Sequence, residues 1–186
     1  MIGRNSLRAR FKRFAAAREG AAAVEFALVV GPFLFMIFAV LELAVVSLLS
    51  SSLDTASERA ARRIRTGEVQ EASEGVAAFK TRLCEGMVWL STSCTGAVVV
   101  DVRKFEQFAD TNIPNPIKPC PPPATGQCFD ENSMLFDAGG PTDVIVVRVY
   151  YKWPLLTPFL SNALAKLNGN VAVITSTQTF RNEPFA

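Results

Sequence analysis

The sequence predicts an α+β protein in which one long N-terminal transmembrane and stalk helix is followed by a small extracytoplasmic head with an antiparallel sheet. Three observations predict this class. A continuous apolar segment follows a basic leader, the next segment carries apolar residues at helical spacing, and three later segments alternate with the period of two that is typical of half-buried strands.

The composition argues against several classes of function. The 186 residues are 49% hydrophobic, and 19 Lys and Arg face 17 Asp and Glu, which excludes a disordered chain and does not indicate nucleic-acid binding. The chain has no histidine, so the commonest general base and the usual imidazole metal ligand are missing. We therefore expect neither enzymatic activity nor a cofactor; a tethered extracellular enzyme would need a pocket of clustered Asp, Glu, Lys or Ser.

The N-terminal region reads as a membrane anchor. Residues 1–20 hold six basic residues and one acid, and residues 21–49 contain only two ionisable side chains, Glu25 and Glu42. As a helix those 29 residues would measure about 43 Å, enough to cross a hydrocarbon layer of ~30 Å. The basic leader places the N-terminus in the cytoplasm and the later residues outside. A secretory signal peptide is the alternative, although its apolar region would be shorter and followed by a clearer small-residue cleavage site.

The junction between leader and apolar segment carries a motif. Residues 18–26 read REGAAAVEF, with a glutamate five places after a glycine and an aromatic residue next to it. This looks like a prepilin-type processing site, and the chain resembles the TadE-like family of pilin-related proteins from tight-adherence (Flp-type) pilus systems. Residues 150–158 and 180–184 are also similar to the tail of that family. The resemblance implies cleavage by a prepilin peptidase between Gly20 and Ala21, with Glu25 and Phe26 in the signature.

The resemblance implies a minor pilin or pseudopilin of the bacterial inner membrane that acts in pilus assembly. Its implied partners are the prepilin peptidase, other pilin-like subunits and the assembly platform in the inner membrane, with no nucleic acid. Whether the protein enters the filament stays open. The alternative is an unprocessed membrane-anchored scaffold or adhesion protein of the cell envelope.

The motif also has a physical interpretation. Cleavage would leave an ammonium group on Ala21, and a carboxylate one helical turn away, or on a neighbouring subunit, can pair with it where an isolated charge is costly. Glu25 has that position, and Gly20 has no Cβ to obstruct a protease. Alternatively, Gly20 is only a helix breaker and Glu25 an interfacial carboxylate. Glu42 is expected to snorkel to water, with a subunit contact as the alternative. The Gly31-Pro32 pair predicts a kink or local melting.

The exported part begins with helical patterns. Apolar residues at three- and four-residue intervals predict that the first helix continues to about Thr66 and stops at Gly67. A second helical stretch is expected over 68–84. The predicted organisation is therefore a leader (1–20), a transmembrane helix (21–49), a helical stalk (50–84) and a head (85–186).

The head is predicted to contain three strands, over 97–105, 143–153 and 170–181. A short helix should begin after Thr157 as N-cap, with Pro158 as its first residue, and end at Asn168-Gly169. Residues 110–142 are rich in Pro, Asn and Gly and predict a surface loop that projects from the head, with recognition of a partner by its prolines as the alternative.

The four cysteines all lie on the side predicted to be oxidising. Because each sequence-local pair closes a small loop, we favour Cys84 with Cys94 and Cys120 with Cys128 among the three connectivities. A zinc site is the alternative, but no two cysteines show the close spacing of a metal knuckle.

Overall fold

The computed structural model describes residues 20–87, 91–111 and 113–185. The basic leader before Gly20 lies outside these residues. The chain divides into two compact units, the first ending at Leu41 and the second beginning at Glu42.

The first unit is part of helix α1 (Ala21–Arg65), whose remaining residues belong to the second unit. The helix continues through Gly31 and Pro32 without interruption, so the local melting predicted there does not occur. None of residues 22–41 is buried. The apolar side chains of the first unit therefore have no core of their own.

The second unit contains the other elements of the described chain. These are α2 (Glu68–Glu71), α3 (Val76–Glu85), α4 (Ser91–Ala97), β1 (Val98–Phe105), β2 (Ile117–Pro119), β3 (Gln127–Phe129), β4 (Val144–Pro154), α5 (Pro158–Leu164) and β5 (Val171–Arg181). Strands β1, β4 and β5 form one antiparallel sheet in the order β1-β4-β5, and β2 pairs with β3. A long apolar helix followed by an antiparallel sheet confirms the predicted α+β class.

The core of the second unit forms between α1 and one face of the sheet. The buried residues of α1 lie three or four positions apart, and the strand residues that belong to this core cluster alternate along each strand, as predicted for one face of each element. The core residues from α1 include Leu49, Leu53, Ala56, Ala60 and Ile64, and those from the sheet include Val98, Val100, Val102, Ile145, Val147, Val149 and Tyr151. Much of the segment interpreted as a stalk therefore packs in the same core as the strands.

Helix α1 ends at Arg65, one residue before the predicted end, and Gly67 follows with a φ of 87°. A Cβ at Gly67 would lie 2.6 Å from a ring carbon of Phe185. The C-terminal segment is fixed there because the Glu183 N–H donates to the Arg65 carbonyl at 2.9 Å. Glycine is required at position 67 by both its backbone conformation and the contact with Phe185.

The second helical stretch is not one helix, as predicted over 68–84, but two. Ser73 has a φ of 48° between α2 and α3. Next to it, the Glu74 carboxylate is almost fully buried and pairs with Arg63 at 3.0 Å and with Arg82 at 2.6 Å. The turn is stabilised by these two ion pairs, one to α1 and one to α3, which local sequence patterns do not reveal.

The structure joins Cys84 to Cys94 and Cys120 to Cys128, the two pairs favoured by their proximity in the sequence. The first disulfide links α3 to α4, and the second closes the β2–β3 hairpin. All four cysteines are therefore unavailable for metal binding.

The prediction that residues 110–142 project from the head was wrong. This segment covers the second face and the β1 edge of the sheet: the Phe129 ring packs edge-on against Tyr150 with centroids 5.1 Å apart, and the Val102 N–H donates to the Leu135 carbonyl at 2.9 Å. The second face of β1 is consequently buried as well, including Val99 and Asp101. Strand β1 is thus not half-buried, as its alternation suggested.

Asp101 holds this segment onto the sheet. Its fully buried carboxylate accepts hydrogen bonds from Arg148 at 2.7 Å, from Arg103 at 3.0 Å and from the Leu135 N–H at 2.9 Å. Arg103 also donates to the Ser133 carbonyl at 2.5 Å. Burial acts to raise the pKa of Asp101, but the hydrogen bonds from Arg148, Leu135 and Arg103 together hold the pKa below its usual value.

We expect Asp101→Asn to destabilise the second unit by about 3–5 kcal/mol, because it leaves two buried arginines without their counter-charge. In a chain of this size that loss corresponds to a fall in Tm of roughly 6–20 °C, measurable by near-UV circular dichroism of the detergent-solubilised full chain. Because the folded-state pKa is lowered, the carboxylate stabilises the fold above its unfolded pKa of about 3.9, and this contribution is lost as pH falls through the folded-state value.

The matched control is Asp54→Asn, an exposed aspartate on α1, which should change stability by no more than about 0.5 kcal/mol. Equal melting temperatures for the Asp101→Asn protein and the wild type at neutral pH would contradict the role given to Asp101.

Candidate functional site

The predicted processing residues lie at the start of α1. Gly20 directly precedes the first helical residue, Ala21, and is exposed. A Cβ at Gly20 would meet nothing within 4 Å. The described part of the fold therefore does not require glycine at this position, and any requirement for it comes from a molecule that approaches the chain.

Glu25 lies four residues after Ala21, a rise of about 6 Å along the helix. Its side chain is exposed, and among the described residues it has neither a hydrogen bond nor an ion pair. Phe26 beside it is 68% exposed. The structure thus brings the four residues of the predicted processing site together on the first two turns of α1 and leaves the carboxylate available to an external partner.

The surface after Phe26 is apolar on every side of the helix. Its large hydrophobic side chains are between about half and two-thirds exposed, among them Leu28, Val29, Phe33, Met36, Phe38 and Leu41. Helix α1 is long and apolar enough to cross a membrane, and its most apolar window has no buried residue, unlike the core helix of a soluble protein. An apolar surface of this extent requires lipid or other proteins around it.

Glu42, the first residue of the second unit, was expected to reach water or another subunit, but it is bound by its own chain. Its carboxylate accepts hydrogen bonds from the Leu156 N–H at 2.5 Å, the Thr157 N–H at 2.9 Å and the Thr157 hydroxyl. Glu42 therefore binds its own chain while remaining partly exposed, an arrangement that was not among the expectations for it. An intrachain contact over more than a hundred residues leaves no local signal in the sequence.

The segment that Glu42 binds is the entrance to α5. The two bound N–H groups belong to Leu156 and Thr157, just before the first helical residue, Pro158. A carboxylate is favoured near a helix N-terminus because the helix dipole is positive there. Thr157 has the N-cap position as predicted, but its side chain makes no cap hydrogen bond; its hydroxyl donates to Glu42 instead. Helix α5 ends at Leu164, earlier than the predicted Asn168-Gly169.

The described residues include no group of three or more His, Cys, Asp or Glu side chains that could hold a metal ion. The charged cluster around Asp101 binds backbone groups of its own chain. The functional candidates are therefore surfaces and a processing junction.

Residues 20–62 match the model of the TadE-like protein family. The match begins at Gly20 and covers most of α1, and the sheet lies outside it. The resemblance seen in the motif is thereby confirmed over this region. No curated protein and no solved structure shows significant similarity to the chain.

We expect Glu42→Ala to free the entrance of α5. Hydrogen bonds to a charged group contribute about 1.5–3 kcal/mol each, so the amides of Leu156 and Thr157 should exchange roughly ten to a hundred times faster. Hydrogen-exchange mass spectrometry of a peptide containing both residues measures this.

Glu58→Ala is the control, since Glu58 is an exposed glutamate on the same helix. Unchanged exchange of this peptide in the Glu42→Ala protein would show that the carboxylate does not hold the segment.

Proposed function

We propose that this protein is a pilin-like membrane component, a minor pilin or pseudopilin, that acts in the assembly of a tight-adherence pilus. The match of α1 to the TadE-like family supports a role in this assembly. The observation that carries the proposal is the exposed apolar surface of residues 22–41 with an unpaired carboxylate near its start.

In this proposal residues 21–41 form the membrane-spanning segment. Twenty-one helical residues measure about 32 Å, close to the thickness of the hydrocarbon layer. We place the end of the span at Glu42 because its carboxylate accepts hydrogen bonds from three donors of its own chain. Leu49 is the next residue of the helix that is buried, and residues 43–48 before it are not. This limit is shorter than the 21–49 expected from hydropathy.

The orientation follows from charge. Six basic residues precede the span, which places the N-terminus in the cytoplasm and the second unit outside the inner membrane. The two disulfides support this orientation, because such bonds persist in oxidising compartments.

The proposed mechanism begins with cleavage after Gly20 by a prepilin peptidase. The new ammonium group of Ala21 would lie in or near the bilayer, where an unpaired charge is costly. Glu25, on its own helix or on a neighbouring subunit, neutralises that charge and fixes the register of adjacent helices. The apolar surface around Glu25 then packs against other pilin-like subunits at the assembly platform.

We expect a strain that lacks this protein to lose pili and the wild-type gene to restore them. Glu25→Gln keeps the size of the side chain and removes its charge, so pilus number should fall by roughly tenfold or more if the lost pairing is worth at least about 1.4 kcal/mol. Electron-microscopic counting of pili, with immunoblots of membrane fractions for abundance, measures the effect.

Glu58→Gln provides the matched control, because Glu58 is an exposed glutamate of α1 beyond the proposed span. Normal piliation of the deletion strain would refute the pilus function. Full restoration by an equally abundant Glu25→Gln protein would refute only the amine pairing.

A further inference from the structure

Among the described residues of the second unit, the most exposed large hydrophobic side chain lies in the segment that Glu42 binds. Leu156 is 84% exposed, more than any other large hydrophobic residue described as exposed. A single exposed leucine is common on protein surfaces and indicates nothing by itself. Its position relative to the apolar segment of α1 is what distinguishes it.

The backbone of Leu156 is bound to Glu42, the first residue of the second unit. Its N–H donates to the Glu42 carboxylate at 2.5 Å, and Glu42 is the next residue after Leu41. Other exposed hydrophobic residues of the second unit, such as Phe108 and Leu135, have no such link to Glu42. Leu156 is therefore held beside Glu42, the first residue after the apolar segment 22–41.

The segment is also fixed on its other side. Leu155 is buried, and its N–H donates to the Asn170 carbonyl at 2.9 Å. Pro158 follows the three residues and restricts the backbone of Thr157 before it. The side chain of Leu155 is buried, and the N–H groups of Leu156 and Thr157 are bound to Glu42. The Leu156 side chain is therefore exposed on a segment whose backbone donors are already bound.

We propose that residues 154–158, the Leu156 loop, form a second membrane contact, in which Leu156 enters the boundary between headgroups and acyl chains of the outer leaflet. The partner is the lipid surface itself. This inference rests on the membrane anchor in the proposed function. The contact would seat the second unit on the bilayer surface.

The chemistry suits a lipid interface. A carboxylate at the end of a span would otherwise have to reach water, but three donors from the loop satisfy Glu42 in place. The same bonds satisfy the Leu156 and Thr157 N–H groups, which is required of backbone near hydrocarbon. The carboxylate and the loop thus satisfy each other's polar groups and leave the leucine side chain free to enter the lipid.

Fluorescence quenching in vesicles tests the proposal. The full chain is reconstituted in phosphatidylcholine vesicles, with or without phosphatidylcholine brominated on its acyl chains near the headgroup. Three variants, Leu156→Trp, Leu135→Trp and Phe38→Trp, are each compared with the parent protein, so that the difference in emission reports the added indole. Leu135 is 55% exposed and is the control in the second unit; Phe38 reports insertion of the span.

We expect blue-shifted, quenched emission from Leu156→Trp and Phe38→Trp, and long-wavelength, unquenched emission from Leu135→Trp. Adding Glu42→Ala to Leu156→Trp should reduce its quenching, because the carboxylate no longer holds the loop at the interface.

The three tryptophan variants distinguish the loop contact from the membrane anchor. Quenching of Phe38→Trp without quenching of Leu156→Trp overturns the loop contact and leaves the anchor intact; a loop that instead binds another protein gives this result. Equal quenching of Leu135→Trp and Leu156→Trp also overturns it, because the second unit then contacts lipid without preference for the loop. An unquenched Phe38→Trp refutes the membrane anchor and the loop contact with it.

Discussion

The first unit of this chain is governed by one constraint: its apolar side chains have no partners in the described fold. None of residues 22–41 is buried, although the segment is among the most hydrophobic parts of the sequence. Covering each large aliphatic or aromatic side chain is worth about 1.5–3 kcal/mol, so exposure of the whole segment to water is strongly unfavourable. Lipid and the helices of other proteins are two environments that satisfy it, and the proposed function uses both.

The same helix meets a different environment after Leu41. From Leu49 onward its buried positions recur every three or four residues, and they belong to the same core as the sheet of the second unit. Glu42 marks the change, because its charge is satisfied by backbone donors from the far end of the sequence. A single helix thus carries both the apolar segment proposed as the anchor and residues of the core, which explains why a stalk separate from the head is not seen.

Local patterns in the sequence were sufficient where the structure depends on local physics. The apolar segment, the helical spacing of Leu53 and Ile64 and the alternation of the long strands all follow from which face is covered. The two disulfides join the cysteines that are closest in the sequence. The resemblance to the TadE-like family came from a motif at the start of α1, and the family match lies in the same region.

The errors have a common physical cause, which is contact between residues far apart in the chain. The proline-rich segment was predicted to project because the sequence does not show that the Asp101 carboxylate binds Leu135 and two arginines. Likewise, Glu42 in an apolar segment reads as a membrane carboxylate, because nothing near it reveals Thr157 as its partner. Periodicity identifies which faces are apolar, but it does not identify the chain segment that covers them.

The central claim is that the basic leader is cleaved from the cytoplasmic end of the span. The new amine at Ala21 then takes part in assembly. Intact-mass analysis of the protein from membranes of cells with and without the prepilin peptidase tests this most directly. The account predicts a chain beginning at Ala21 in peptidase-containing cells and a chain that retains residues 1–20 in cells without it. A protein that keeps the basic leader in both kinds of cell would contradict it.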